Sequence, residues 1–334
     1  MFEGEYLGGD QVKPGMPPVP AAPRIEAMPE DRLAEAAALV ALLRRRGAKW
    51  ADVTAEVLAE GEALPVLRRT LYCGATLFDD DSAFDVALRD ASAEVNGWFA
   101  DGIGVHCLFD DSYPAQLRDI HQMPPLVFTR GTLAKDRRAV AVVGTRSPTE
   151  RGLAIARDAA TALAGSGVTV VSGLAKGIDT AAHQAALEAG GRTVAIIGTG
   201  VNQHYPAANR SLQQRIVREG LVLSQFWPEA SPTKQAFPMR NAVMSGYAAA
   251  TVVVEAAHRS GARMQARLAL EHGRPVVLVD SLLVHDWARD YAWRPGVTVV
   301  SSADQLLAAV DYIVSQIPGT LDPFEGLPSL VRGW

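Results

Sequence analysis

The sequence has little cysteine and no long apolar run, and each of these scarcities excludes a class of protein. Its 334 residues include only two cysteines, Cys73 and Cys107. They are too few for a disulfide framework and too far apart for paired zinc ligands, so we expect reduced thiols and no metal. No run approaches the ~20 apolar residues of a membrane helix, and the N-terminus, MFEGE, lacks the basic flank of a signal peptide. The sequence therefore predicts a cytoplasmic protein without a membrane partner.

Charge is distributed unevenly along the chain. The net charge is −5, but residues 131–280 carry 17 Lys and Arg against 10 Asp and Glu, whereas the remainder carries 15 against 27. A basic segment inside an acidic protein favours a local anionic ligand. A chance distribution of arginines would give the same counts.

Four segments can be distinguished along the chain. Residues 1–30 are rich in proline without an apolar period, which predicts a flexible arm. Residues 31–105 have helical periodicity, over 31–44, 49–60, 62–74 and 82–96, and predict a small helical domain. Residues 106–320 predict a second domain, and residues 321–334 a C-terminal tail.

The second domain alternates short apolar runs with amphipathic segments. Strands are predicted at 138–143, 168–172, 193–197, 220–223, 250–254, 275–279 and 297–300. Helices are predicted between and after them, at 150–165, 177–190, 208–218, 241–248, 261–272 and 302–316. This alternation indicates an α/β, Rossmann-like fold with a mostly parallel sheet and helices on both faces. Ligands of such sheets bind beyond the carboxyl ends of the strands, so the loops found there supply the candidate site residues.

Two of these loops have the composition of phosphate-binding turns. After the first predicted strand come Gly144, Thr145 and Arg146; after the second come Ser172, Gly173, Lys176 and Gly177. Small residues let the backbone approach an anion at a helix N-terminus, and the cationic side chains add charge. A well-capped helix would explain the first loop equally well. In the second, a structural hydrogen bond of His183 is favoured over catalysis.

Two later segments add an aromatic ring and further polar groups. Phe237, Arg240 and Asn241 precede one predicted helix, and Ser260, Gly261 and Arg263 begin another. An aromatic ring beside arginine suits a stacked base next to a phosphate, although Phe237 could equally be a core or edge residue. Glu255 could bind a ribose, orient Arg240 or form a salt bridge.

The order of several motifs resembles a known family. VVGTRSPTERG, VVSGLAKGIDTAAHQAALEAGGRTVAIIGTG, YP, FPMRN and TVVVEAAHRSGA are similar to motifs of the DprA/Smf family of DNA-processing proteins, over about residues 112–280. The resemblance implies a Rossmann-like core that binds single-stranded DNA. It also implies a role in natural transformation and DNA recombination, with RecA recombinase as a partner and self-association as a homodimer.

The chain departs from the family pattern at three places. Ala242 stands where the family has a second arginine, and Ala262 to Ala266 replace a Ser-Leu-x-Thr-Ala pattern. After residue 280 the family's Pro-Gly and Gly-x-Asn elements are replaced by a segment containing Trp287, Tyr291 and Trp293. We expect Arg263 to restore the charge lost at Ala242, and the aromatic group to contribute to a dimer interface unless it packs in the core.

These observations favour a non-enzymatic protein without a cofactor that binds single-stranded DNA. A sensor of a nucleotide-derived signal in a defence or stress system is a second interpretation. A third is a nucleotide N-glycosidase-like enzyme, but the Pro-Gly-Gly-x-Gly-Thr-x-x-Glu signature of such enzymes is absent. Single strands require a basic track beyond the crevice, whereas a small nucleotide requires a closed pocket.

Overall fold

The seven apolar runs predicted as strands all belong to one sheet. The computed structural model describes residues 29–72, 82–258 and 260–317. The predictions for residues 1–28, for Cys73 and for the tail at 321–334 lie outside these ranges. None of the helices in the described ranges combines the length and apolar character that crossing a bilayer requires.

Four helices open the described chain, and strands alternate with helices after them. The helices are α1 (Glu30–Arg44), α2 (Trp50–Glu60), α3 (Ala63–Tyr72), α4 (Ser82–Ala100), α5 (Glu150–Gly165), α6 (Ile178–Glu188), α7 (Arg210–Glu219), α8 (Ala236–Tyr247), α9 (Gly261–Glu271), α10 (Asp286–Ala292) and α11 (Ala303–Ser315). The strands are β1 (Gly104–Cys107), β2 (Leu126–Gly131), β3 (Ala139–Val143), β4 (Thr169–Ser172), β5 (Thr193–Ile196), β6 (Leu221–Ser224), β7 (Ala250–Val253), β8 (Val276–Val279) and β9 (Val297–Val300).

The strand order creates a point at which the chain changes direction across the sheet. The order is β1-β2-β6-β5-β4-β3-β7-β8-β9. From β3 the chain proceeds through β4 and β5 to β6 on one side, and from β7 through β8 to β9 on the other. Strands β3 and β7 are parallel neighbours, with Val143 opposite Val253. A crevice opens at such a switch point, because the loops after the two strands lead away in opposite directions.

Both faces of the parallel strands are buried, which explains their continuous apolar runs. Val140 and Val142 of β3 pack in a cluster with α5, α6 and α11. Ala139 and Ala141, which point to the opposite face, pack in a cluster with α8 and α9. Side chains alternate between faces along a strand, so every residue of β3 contributes to one cluster or the other.

The sequence reasoning missed the two antiparallel strands at one edge of the sheet. β1 pairs with β2, and β2 pairs with β6; the predicted domain boundary at 105/106 falls within β1. Helices α1 to α4 share a buried cluster with this edge, in which Trp98 meets Phe128 edge-to-face at 5.0 Å. β1 has the sequence GVHC, and its polar His106 interrupts the continuous apolar run by which the other strands were found.

Two of the three aromatic residues expected at a dimer interface belong to the core. Trp287 and Tyr291 are 2% and 3% exposed and pack edge-to-face against each other. Trp293 is 90% exposed. Trp287 and Tyr291 lie one helical turn apart on α10 and pack in the core beside the sheet. Their burial is therefore explained without a partner chain.

Candidate functional site

A crevice lies over the carboxyl ends of β5, β4, β3 and β7 and consists of two adjoining depressions. The first has a volume of about 420 Å³ and the second about 200 Å³. Arg146, Ala175, Phe237 and Arg240 line both and therefore stand between them. Among the predicted residues, the first depression is also lined by Gly144, Thr145, Asn241, Ser260 and Gly261, and the second by Gly173 and Lys176.

The β3–α5 loop is shaped by a carboxylate from the neighbouring strand end. Glu255, which follows β7, accepts hydrogen bonds from the Thr149 N–H at 3.1 Å and the Thr149 hydroxyl at 3.0 Å. The Thr149 hydroxyl in turn accepts from the Gly152 N–H and caps α5. The N-terminus of α5 thus already holds a negative charge from the protein itself, which reduces its attraction for a further anion.

The β4–α6 loop folds around a buried carboxylate. Asp179 is 5% exposed and accepts hydrogen bonds from the Gly173 and Ala175 N–H groups at 3.2 and 3.3 Å. Burial raises the pKa of Asp179, while Arg240 and the N–H donors oppose this rise. Leu174 has a φ of 55°, a conformation that non-glycine residues rarely adopt, and its carbonyl accepts from Asn209 Nδ2 at 2.9 Å. The loop is therefore held in one strained conformation.

Two predicted residues of this loop are structural and line neither depression. The buried Ser172 hydroxyl donates to the Val142 carbonyl at 2.7 Å, which joins β4 to β3. Gly177 has a φ of +83°, and a Cβ at this position would overlap the Thr145 carbonyl. The position needs glycine because the β3–α5 and β4–α6 loops lie close together there.

Arg240 forms the floor between the two depressions and is 6% exposed. Its Nη1 donates to the carbonyls of Gly173 and Ile196, and its Nε donates to Asn241 Oδ1. Burial lowers the pKa of the guanidinium, but arginine starts so high that the group stays charged. A Cβ on Gly173 would overlap this guanidinium, so the missing side chain makes room for Arg240.

The accessible charge of the crevice comes from Arg146 and Lys176. Both side chains are exposed, and neither forms a salt bridge with a carboxylate of the described residues. The Arg146 guanidinium lies over the half-buried Phe237 ring, 5.3 Å from its centroid. Tyr205 lies beyond, with ring centroids 5.8 Å apart. One cation thus contacts an aromatic pair and a second, Lys176, lines the same depression, a combination suited to phosphates and stacked bases.

Phe237 and Arg240 are on a helix and not in the loop before it. α8 begins at Ala236, five residues earlier than predicted, because Pro238 lies in its first turn, where no backbone N–H needs a partner within the helix. Met244, one turn after Arg240, lines the first depression. The sequence reasoning did not select it, although the spacing of four residues on a helix would have indicated it.

The start of α9 closes the first depression on the β7 side. Ser260 caps the helix by accepting from the Arg263 N–H, and Asn241 Nδ2 donates to the Gly261 carbonyl at 3.3 Å. Gln265 is buried behind them; with its amide oriented to satisfy both neighbours, it donates to the Asn241 carbonyl and accepts from the Ser245 N–H. Asn241 is thereby fixed between α8 and α9.

His183 is a structural residue. Its side chain is fully buried, and Nδ1 lies 2.7 Å from the Thr193 hydroxyl. That hydroxyl donates to the Val170 carbonyl, so the imidazole donates to it. Burial, with Arg240 nearby, lowers the pKa of His183 to about 3. The side chain is neutral at physiological pH, and its hydrogen bond to Thr193 joins α6 to β5 of the sheet.

Residues 104–311, 208 of the 334, match the family model of DNA recombination-mediator protein A. The chain belongs to this family. It is 38% identical over 209 residues to the DNA processing protein DprA of Streptococcus pneumoniae, and the match covers 61% of this chain and 73% of that protein. It is 37% identical over 222 residues to the protein Smf of Synechocystis, covering 61% of this chain but only 53% of that protein.

Solved structures agree with this membership. The Streptococcus pneumoniae DprA structure matches with a TM-score of 0.57 and 35% identity, covering 67% of this chain and 81% of that one. The DprA structure from Helicobacter pylori matches with a TM-score of 0.57 and 22% identity, over 64% of this chain and 96% of that one. At 22% identity, the match to the Helicobacter pylori structure shows only that the two chains share a fold.

The departures from the family pattern can now be located. Ala242 is 4% exposed on α8 and lines neither depression. Arg263 also lies outside both, because its Nη1 donates to the His258 carbonyl at 3.1 Å and its guanidinium lies 5.9 Å from the Trp287 ring centroid. Arg263 therefore adds no charge to the lining of these two depressions, and its contact with DNA stays a prediction. Its charge lies beyond the start of α9.

Proposed function

We propose that this chain binds single-stranded DNA in the crevice and acts as a recombination mediator without catalysing a reaction. Arg146 and Lys176 contact phosphates, and Phe237 stacks against a base. Arg240, which is buried in the floor of the crevice, contributes its positive charge to the attraction of the phosphates without contacting them. The two exposed cations that line one depression together with Phe237 are the observation that carries the proposal, because this combination binds a strand regardless of sequence.

The shape of the crevice supports a polymer ligand. The two depressions adjoin across Arg146 and Phe237 and extend over the ends of β5, β4, β3 and β7, which at about 4.8 Å between strands spans roughly 14 Å. A mononucleotide sensor would be served by one enclosed pocket. The Helicobacter pylori protein of the same fold is described as having a single-stranded DNA binding mode.

The positions of the carboxylates support a role without catalysis. A glycosidase of the kind considered above needs a carboxylate facing the substrate. Glu255 instead accepts hydrogen bonds from Thr149 and lines neither depression. Asp179 lines the first depression but is 5% exposed and accepts two backbone hydrogen bonds inside its loop. Glu255 therefore does not face a ligand in the crevice, and its burial leaves Asp179 with little of the exposure of a general acid or base.

Binding of single-stranded DNA is tested by titrating the protein with a labelled oligonucleotide, a duplex and mononucleotides. We expect the single strand to bind most tightly, and Arg146→Ala or Lys176→Ala to weaken binding to all sequences similarly. Each loss of a phosphate contact lowers the slope of log affinity against log salt by about 0.7. Arg157→Ala, an exposed position on α5 outside the crevice, is the charge-matched control. Unchanged affinity in both crevice variants would move the site elsewhere.

We also propose that the protein acts in the cytoplasm, assists the loading of RecA recombinase and forms a homodimer. Exposed Trp293 and Val284, 90% and 75% accessible, are candidates for the self-association surface. Light scattering with and without oligonucleotide tests the dimer, and a mass near the 35.6 kDa monomer in both cases would contradict it. RecA loading predicts faster RecA filament formation on single-stranded DNA, and an unchanged rate would exclude it.

A further inference from the structure

A third depression continues the crevice past the start of α9. It has a volume of about 490 Å³ and shares Ser260 and Gly261 with the first depression. Its other lining residues include Arg263, Arg267 and Tyr291. The three depressions therefore adjoin in a row, with the second at the β5 side and the third at the α9 side.

The third depression contains two arginines and no carboxylate among its lining residues. Arg263 and Arg267 are one helical turn apart on α9, where like charges slightly destabilise a helix. Arg263 forms no salt bridge with the described residues, and Arg267 pairs only with Glu271 at 2.6 Å on an exposed surface. An exposed pair of this kind contributes little free energy and exchanges readily for another anion.

A third arginine adds to this positive surface. The Arg294 guanidinium lies over the Tyr291 ring, 4.1 Å from its centroid. Because Tyr291 is itself only 3% exposed, its ring is not available for base stacking. The side chains around the third depression therefore offer charge without a stacking platform, which favours a phosphate over a base.

We infer that the third depression binds the phosphodiester backbone of the same strand where it leaves the crevice on the α9 side, through Arg263 and Arg267. This inference rests on the proposed single-strand binding and extends its footprint. The site depends on a departure from the family pattern after Gly261. There Arg263 stands at the position of the leucine in that pattern. It gives the bound strand a longer charged track than the two depressions supply alone.

The inference is tested by measuring affinity against oligonucleotide length. Oligothymidylates from about 4 to about 16 nucleotides cover the site sizes of single-strand-binding modules. We expect the wild-type affinity to rise with length, and Arg263→Gln and Arg267→Gln each to weaken binding of the long oligomers by roughly twofold to fivefold. The salt slope for these oligomers should fall by about 0.7 for each variant. Binding of the shortest oligomers, which occupy the first two depressions, should be unchanged.

Arg157→Gln is the matched control, because it removes the same charge outside all three depressions. Arg267→Gln keeps the test valid if Arg263→Gln disturbs the loop at His258, since within the described residues Arg267 is hydrogen-bonded to the Glu271 side chain and to no backbone group. Equal losses at every length, or a length dependence that both variants retain, would overturn the inference. The proposed function would survive either result. Failure of the wild type to bind any oligomer would overturn both.

Discussion

Arg240 and Arg146 line the same crevice but are expected to respond oppositely to the same substitution. Arg240 is buried, and its guanidinium donates to two backbone carbonyls and to Asn241. Arg146 is exposed and contacts the face of Phe237. Replacing each by methionine removes the charge while keeping an unbranched side chain. Arg240→Met should therefore damage the fold, whereas Arg146→Met should damage binding only.

The magnitude follows from the groups that Arg240 leaves behind. Each buried carbonyl without a donor costs about 1–3 kcal/mol, and the carboxylate of Asp179 loses its nearest cation. The desolvation cost of the guanidinium itself is recovered, which offsets part of this loss. We expect Arg240→Met to lower the free energy of unfolding by roughly 2–5 kcal/mol. For a protein of 334 residues that corresponds to a fall in Tm of about 3–7 °C. Arg146→Met should cost less than about 1 kcal/mol.

Urea unfolding followed by circular dichroism, together with oligonucleotide titration, separates the two roles. The result that would refute the reasoning is an Arg240→Met variant with wild-type stability and lost DNA affinity. It would mean that the guanidinium leaves its carbonyl partners and contacts phosphate directly. Loss of stability in Arg146→Met would equally contradict the assignment of that residue to the surface.

Three further predictions concern residues around the crevice. Phe237→Ala should weaken single-strand binding by about 1–3 kcal/mol in fluorescence anisotropy while Phe237→Trp retains it, and equal affinities would exclude stacking. Because folding lowers the pKa of His183 to about 3, the unfolded chain binds a proton that the folded chain excludes. Stability should therefore fall as pH drops from about 6.5 towards 3, by at most about 5 kcal/mol in urea unfolding; His183→Gln should flatten this dependence, and an unchanged slope would contradict it. Gly173→Ala should cost about 1–3 kcal/mol in thermal unfolding through overlap with Arg240, whereas Gly165→Ala, where a Cβ meets nothing within 4 Å, should not; similar losses would refute the overlap.

The sequence predicted the sheet, and most of the residues that it selected as site candidates line the crevice, because both depend on local patterns. Apolar runs such as Val140 to Val143 identify buried strands, and the loops after them carry the residues that line the crevice. The edge strands β1 and β2 were not predicted, since their burial depends on helices distant in sequence. Ser172 and Gly177 looked like phosphate ligands because small residues serve loop packing and anion binding equally well.

The depth of each charged residue could not be predicted. Arg240 and Lys176 both sit in polar motifs, yet one is buried and the other exposed. The difference arises from carbonyls at Gly173 and Ile196, which are separated in sequence from Arg240 by 67 and 44 residues. Glu255 posed the same difficulty, because its partner Thr149 lies 106 residues away.

The contact between Glu255 and Thr149 bears on how quickly a strand is captured. Since the positive end of α5 is balanced by the protein's own carboxylate, it adds little to the field above the crevice. Long-range attraction of an approaching polyanion then depends on solvent-exposed arginine and lysine side chains, whose influence reaches only about 10 Å at 0.1 M salt. Encounter should therefore be rapid in dilute buffer and slow sharply as ionic strength increases. The same field attracts every stretch of a strand about equally, whatever its sequence. A bound strand can therefore shift along the surface without a preferred register.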